Sequence, residues 1–470
     1  MSDLELESNA TPARQPSEAY NLLDTFRHAY DRGVGTTDGH PSYTVDQAGA
    51  QIDRYGYQFR DKDGDGAVVL SYSFTEVRPA DFDSSRGDFI AFNDQQRAQA
   101  KLALQAWADV ANVKFTQALT GGDGHLSLAS YSASASEGAY AFYPNGTSRE
   151  GQSWYWVSDS YQDNATAATN NYGGQTLLHE IGHTLGLGHP GDYNAWDGVL
   201  SYGDDAPYAQ DSRGYSVMSY WDEFNTHQDF HNAYASAPLM DDIAAIQQLY
   251  GANLQTRSGG TVYGFNANSN RAETTATTDH DTLIFSVWDT GGIDTLDFSG
   301  YSMDQRINLQ ATSFSDVGGL VGNVSIAQGV IIEKAFGGAG NDYLIGNEAA
   351  NELKGNEGND LIAGAGGADK LWGGAGADTF VYTAREDSVK GASDRLMDFT
   401  TGEDRIDLSA LAGDGGQAIH FAATLDGTAG AAVLKDTGYG TRLAVDFDGD
   451  HGADFVIRIL GEAHVTDVVV

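Results

Sequence analysis

The chain has 470 residues, 41% of them hydrophobic, which is more than one compact core usually holds and predicts two domains. Lys and Arg number 26 against 66 Asp and Glu, and a net charge of −40 excludes a nucleic-acid partner while fitting solubility, salt tolerance or calcium binding. No cysteine is present, so disulfides are excluded, and no run of 18 apolar residues marks a membrane span.

Taken in chain order, residues 1–16 are polar and lack the apolar core of a signal peptide, so they read as a flexible leader. Leu22, Leu23, Phe26 and Tyr30 have helical spacing over 20–31. Residues 68–75 read as a strand. Asp94 is placed to cap a helix over 95–112, with Leu102, Leu104 and Trp107 on its apolar faces. Segments 126–131, 139–143 and 153–158 read as strands, and residues 173–187 as a helix. A further helix over 239–250 ends at Gly251, a C-cap residue. This mixed first domain is expected to end near residue 254.

Residues 179–189 read H-E-I-G-H-T-L-G-L-G-H. His179 and His183 are four apart, so one helical face presents both imidazoles. Gly186 is suited to end the helix with positive φ and bring His189 to a third position. Three neutral nitrogens with an open fourth position describe catalytic zinc, of which one ion is expected. Glu180 sits beside the ligands without being one, placed as general base towards a water at the metal. Other histidines, such as His28 and His227, read as structural or exposed.

Beyond residue 254 glycine and aspartate dominate, and a nine-residue period starts at Gly337, Gly346, Gly355, Gly364 and Gly373. Position six is Asp342, Asn351, Asp360, Asp369 and Asp378; position eight is Leu344, Leu353, Ile362, Leu371 and Phe380. This is the calcium-binding nonapeptide pattern. Each unit makes a glycine turn, whose carbonyls face a cation, and a short strand with its apolar residue turned inward. One unit buries nothing alone, so the units must stack. The expected calcium residues are Gly338, Gly340 and Asp342; Asn356, Gly358 and Asp360; Gly367 and Asp369; and Gly374, Gly376 and Asp378. The second repeat, with Ala349 and Asn351, reads as a weak or empty site. The acidic loop 61–66 reads as a hairpin turn, since Tyr72 stands where an EF-hand needs glutamate, and the loop 446–450 reads as a solvated turn.

The segment His179–His189 resembles the metzincin signature, and S-V-M-S-Y at 216–220 is similar to its methionine turn. Together with the nonapeptide repeats, these motifs resemble the serralysins, secreted bacterial metalloproteases. The resemblance also covers H-P-G-D-Y-N-A at 189–195, A-P-L-M-D-D-I-A-A-I-Q at 237–247 and Y-G-A-N-L at 250–254. It implies an α+β metzincin-type catalytic domain over 17–254. An all-β parallel β-roll over 255–470 would follow and carry a C-terminal secretion signal. It implies that Met218 floors the zinc, and that Tyr220 ligates resting zinc and then stabilises the oxyanion. It implies a calcium pair using Arg257, Gly259, Thr261, Asp289, Gly291 and Asp294, a neighbouring site with Gly292 and Glu333, and Asp398 and Asp404 closing the last turns. Where the family often has threonine, this chain has Ile331.

The resemblance further implies broad-specificity hydrolysis of extended polypeptide, with the edge segment 138–143 pairing with substrate backbone. It implies export to the extracellular space by a type I machinery reading the tail Thr466–Val470, several structural calcium ions, and a leader acting as a propeptide. A small proteinaceous inhibitor is among its implied partners, nucleic acid and membrane are not, and the chain is expected to be a monomer. Two other classes stay open at this point: a calcium-dependent adhesin or toxin with a vestigial metal site, and a zinc hydrolase acting on a non-peptide substrate.

Overall fold

The computed structural model describes residues 15–64, 66–133, 138–194 and 197–470; most of the expected leader lies outside them. The chain forms two compact units, residues 29–340 and residues 1–28 with 341–470. Both differ from a simple division at residue 254, because compactness joins 255–340 to the segment before them.

In the unit of residues 29–340, one sheet runs in the order Val113–Gln117, Val68–Phe74, Gly124–Ser132, Gln152–Trp156, Tyr140–Ala141. The first three pairings are parallel and the last is antiparallel, which leaves Tyr140–Ala141 at the edge. The helix Asp94–Val110 is capped by Asn93, not Asp94, because the Asn93 side chain accepts from Gln96 N at 2.8 Å and leaves Asp94 in the first turn. Its Trp107 is fully buried, and Nε1 donates to the Leu178 carbonyl at 3.1 Å. That bond ties it to the helix Tyr172–Thr184. The helix Met240–Tyr250 packs on Val45–Ile52 and ends at Gly251, with φ 77°. Past residue 254 the same unit turns to short strands: Val262–Gly264, Thr295–Asp297 and Lys334–Phe336 are in parallel register.

In the second unit the repeats alternate between two sheets. Tyr343–Ile345 pairs parallel with Leu361–Ala363, and Glu352–Glu357 with Lys370–Ala375, an offset of two repeats each time. The five position-eight residues are buried to within 1%. Glycine is required in the turns: a Cβ on Gly376, at φ 133°, would lie 1.9 Å from the Gly358 carbonyl oxygen. The order expected from sequence, mixed α and β followed by parallel β, is the order found. No helix among the described residues is long and apolar enough to cross a membrane.

The helix Glu18–Arg27 belongs to this second unit. Leu23 and Phe26 are buried against Ile345, Ala363 and Val381. Its N-cap Ser17 also anchors to the roll, through Ser17 N to Ser409 Oγ at 2.8 Å and a bond from its hydroxyl to Asp407. Leu23→Ala is expected to destabilise this unit by about 2–5 kcal/mol, because a fully buried leucine leaves a cavity; chemical denaturation in saturating calcium measures it.

Candidate metal and catalytic site

The helix Tyr172–Thr184 starts at Asn171, whose side chain accepts from Gly174 N at 2.8 Å. It carries His179 and His183 one turn apart on one face. It ends where Gly186 takes φ 110°, a position at which a Cβ would meet the Tyr57 carbonyl oxygen at 1.9 Å. The chain folds back through this turn and delivers His189. His183 Nε2 and His189 Nε2 are then 3.1 Å apart, and His189 Nε2 and His179 Nε2 are 3.3 Å apart.

Each Nδ1 has a backbone acceptor: Val217 O at 2.8 Å for His179, Leu187 O at 2.7 Å for His183 and Tyr193 O at 2.9 Å for His189. With the proton on Nδ1, each Nε2 shows a lone pair, so three lone pairs face one another at contact distance. Lone pairs do not hydrogen-bond to each other; a cation between them removes the conflict. Burial lowers the His179 pKa to about 4 and the His189 pKa to about 3, and holds His183 well below its ordinary value. All three are neutral donors, as zinc requires.

Glu180 is 5% exposed, and its Oε2 has no hydrogen-bond partner among the described residues. Burial alone pushes its carboxyl up to about 8. Tyr220 lies beside the histidines, its ring 4.4 Å from His189, and burial raises its phenol. A cleft of about 350 Å³ opens onto this group, lined by His179, Glu180, Tyr220, Arg213, Tyr172 and the edge residues Gly138 and Ala139.

Met218 is fully buried below the helix. A Cβ on Gly182 would lie 2.7 Å from Met218 Sδ and 3.1 Å from Trp107 Cζ2. Gly182→Ala is therefore expected to cost about 1–3 kcal/mol of stability through overpacking and to loosen metal binding; thermal melts with and without metal read both. Two buried acids that the motifs do not include hold this region. Asp242 accepts Ser216 Oγ at 2.6 Å and Val217 N at 2.8 Å, so it fixes the carbonyl beneath His179. Asp211 accepts Ser219 Oγ at 2.6 Å, Tyr193 Oη at 2.9 Å and Trp221 Nε1 at 3.0 Å. Asp242 lies in the segment 237–247 singled out above; nothing local in the sequence marks Asp211.

The expected calcium residues fall in both units. In the first, Thr261 N donates to Asp294 Oδ1 at 2.7 Å, and Asp294 N to Glu333 Oε2 at 2.8 Å. Asp289 accepts from Gly291 N at 2.9 Å and from Tyr263 Oη at 2.8 Å. Burial, with Asp289 and Glu333 nearby, pushes Asp294 up to about 7. Gly292 abuts Gly259, where a Cβ would lie 2.5 Å from the Gly259 carbonyl carbon. Arg257, at φ 52°, puts its side chain on Asp109 at 2.7 Å, which leaves only its backbone for an ion. Gly338 and Gly340 close this unit against Tyr301 and Met303.

In the second unit the aspartates form ladders. Asp342 N donates to Asp360 Oδ1 at 2.8 Å, Asp360 N to Asp378 Oδ1 at 2.9 Å, and Asp378 N to Asp404 Oδ1 at 3.0 Å. On the other side, Asn351 N donates to Asp369 Oδ1 at 2.7 Å and Asp369 N to Asp394 Oδ1 at 2.9 Å. The second oxygens of Asp369 and Asp378 are buried with no partner among the described residues. Asp398 accepts from Gly373 N at 3.0 Å. Asn356, at φ 81°, and the positive-φ residues Gly358, Gly367 and Gly374 make the turns. Asp394 was not expected. It continues the ladder after 25 residues instead of 18, so the period does not reveal it.

In the acidic loop 446–450, Asp446 is fully buried and accepts from Gly449 N and His451 N, which makes it the organiser of the turn; Asp448 and Asp450 are exposed. Asp61 does the same for its loop, accepting from Gly64 N and Gly66 N.

Comparison with known proteins follows this geometry. Residues 87–196 match the Matrixin family model, and residues 252–470 match the model of the peptidase M10 serralysin C terminal. The chain is 57% identical to Metalloprotease AprA of Pseudomonas entomophila (strain L48), covering 98% of both chains. It is 49% identical to Serralysin C of Dickeya chrysanthemi, covering 96% of this chain and 95% of the relative. It is also 49% identical to a Serralysin of Photorhabdus luminescens, covering 87% and 85%.

Proposed function

The chain belongs to the serralysin family of zinc metalloendopeptidases, and on that premise we propose that it is a secreted, broad-specificity endopeptidase of extended polypeptides. The observation that carries this reading is the convergence of three lone-pair nitrogens beside a buried carboxylate with an unengaged oxygen.

His179, His183 and His189 would hold the zinc, and Tyr220 would join them at rest. When bound, zinc supplies Lewis acidity that activates water and polarises the scissile carbonyl. Glu180 accepts the proton of the attacking water at Oε2 and delivers it to the leaving nitrogen. Burial raises its pKa and a cation alongside lowers it again, which returns it towards a carboxylate able to take that proton. The Tyr220 phenol, kept protonated by burial, donates to the oxyanion on the attacked carbonyl. The edge strand Tyr140–Ala141 offers backbone groups to an extended substrate, so cleavage depends little on side chains. Cleavage of casein abolished by a zinc chelator, without hydrolysis of simple esters, is the expected pattern. Chelator-resistant cleavage, or ester hydrolysis alone, contradicts the reading.

Calcium would occupy the aspartate ladders and the group of Asp289, Asp294 and Glu333, with functional parts at 17–254 and 255–470. The unpartnered oxygens of Asp369 and Asp378 support this. Export precedes folding. In the folded chain the tail that a type I exporter would read passes from a 3-10 turn into the short strand Val468–Val469, with Val468 paired to Ile406 and Asp467 accepting from Thr401 Oγ1 and Gly402 N. An exporter reaches it only in the unfolded chain. The leader acts as a propeptide, and the mature enzyme works as a monomer open to a small proteinaceous inhibitor.

A further inference from the structure

We propose that Asp211 is a positioning residue for catalysis, acting through Tyr220 by clamping the main chain on both sides of it. The inference rests on the role given to Tyr220 above.

Asp211 is fully buried, and its three side-chain donors come from two segments. Ser219 Oγ, at 2.6 Å, and Trp221 Nε1, at 3.0 Å, flank Tyr220 directly. Tyr193 Oη, at 2.9 Å, comes from the segment after His189. Tyr193 has three further links to the site. Its carbonyl accepts from His189 Nδ1 at 2.9 Å, its ring stacks on His189 at 5.5 Å, and its ring lies 5.1 Å from Tyr220. The clamp is reinforced by Arg213 N donating to the Trp221 carbonyl at 2.9 Å.

A carboxylate accepts at both oxygens, so it satisfies three converging donors. An asparagine accepts at one oxygen only and turns an N–H towards at least one donor. The shape is kept and the clamp is broken. Oxyanion donors lose effect with small displacements, because the contribution is made only at the transition state. The clamp therefore governs kcat more than KM.

The test is a double-mutant cycle with Asp211→Asn and Tyr220→Phe, read as kcat and KM on a fluorogenic peptide, with bound zinc measured for every variant. Asp211→Asn is expected to lower kcat by about tenfold or more with KM within about twofold and zinc retained. In the Tyr220→Phe background the same change is expected to lower kcat by less than about twofold. Trp221→Phe removes one donor only and is expected to show the same pattern with a smaller loss, so the test survives if Asp211→Asn folds poorly. A crystal structure of zinc-free Asp211→Asn is expected to show the Tyr220 ring displaced from its wild-type place. Equal losses in both backgrounds, or an unmoved ring, overturn the clamp while leaving the Tyr220 role intact. A Tyr220→Phe variant with unchanged kcat overturns the Tyr220 role, and this inference with it.

Discussion

Chelating calcium at pH 7 is expected to unfold residues 341–470 before the rest of the chain. The buried ladders are the reason. Asp369 and Asp378 each keep one oxygen without a partner, and burial next to other carboxylates pushes Asp369 up to about 9 and Asp394 up to about 8. Both ordinarily titrate at 3.8, the value expected in the unfolded chain. Between those values the ion-free fold binds protons that the unfolded chain does not, so its stability falls as pH rises from about 4 to about 9. At pH 7 most of that loss is in place, and the charge of −40 adds repulsion. Calcium reverses the sign by replacing protons with a cation. Calcium binding at pH 7 is therefore expected to release protons, and the chelated unit to hold more structure at pH 5 than at pH 8. Hydrogen exchange resolved by segment checks this. Protection of 341–470 that is unchanged by a calcium-selective chelator contradicts it.

The second large effect is on chemistry alone. Glu180→Gln is expected to lower kcat by about 10²–10⁴-fold while zinc stays bound at one ion per chain. In the proposed mechanism Glu180 is no ligand, and the three histidines are oriented by Val217, Leu187 and Tyr193 carbonyls, none of which the substitution touches. Glutamine keeps the shape of the buried side chain but accepts no proton at neutral pH. Loss of zinc with activity would make Glu180 a structural support instead.

The cluster of His179, His183 and His189 was legible because its geometry is local. A spacing of four positions from His179 to His183 fixes two imidazoles on one helical face, and one glycine with φ 110° returns the third. The ladders were legible because each repeat announces the next. What the sequence hid is long-range. The helix Glu18–Arg27 has an apolar face, but nothing in it says that Ile345, Ala363 and Val381 cover that face. Asp211 and Asp242 are single acids among 66 acidic residues, and only the fold shows that they organise the turn around Met218 and Tyr220. Asp394 escaped because seven extra residues break the period. The cap at Asn93 was missed by one residue, where two adjacent polar side chains both suit an N-cap.

The most direct measurement is a zinc titration into metal-free, calcium-saturated protein, with peptide cleavage followed at each step. The expected result is a rate that rises in proportion to zinc and stops at one ion per chain, with Glu180→Gln binding the same single ion and remaining inactive. Cleavage before any zinc is added, or a rate indifferent to the first equivalent, would contradict a zinc peptidase built on His179, His183 and His189.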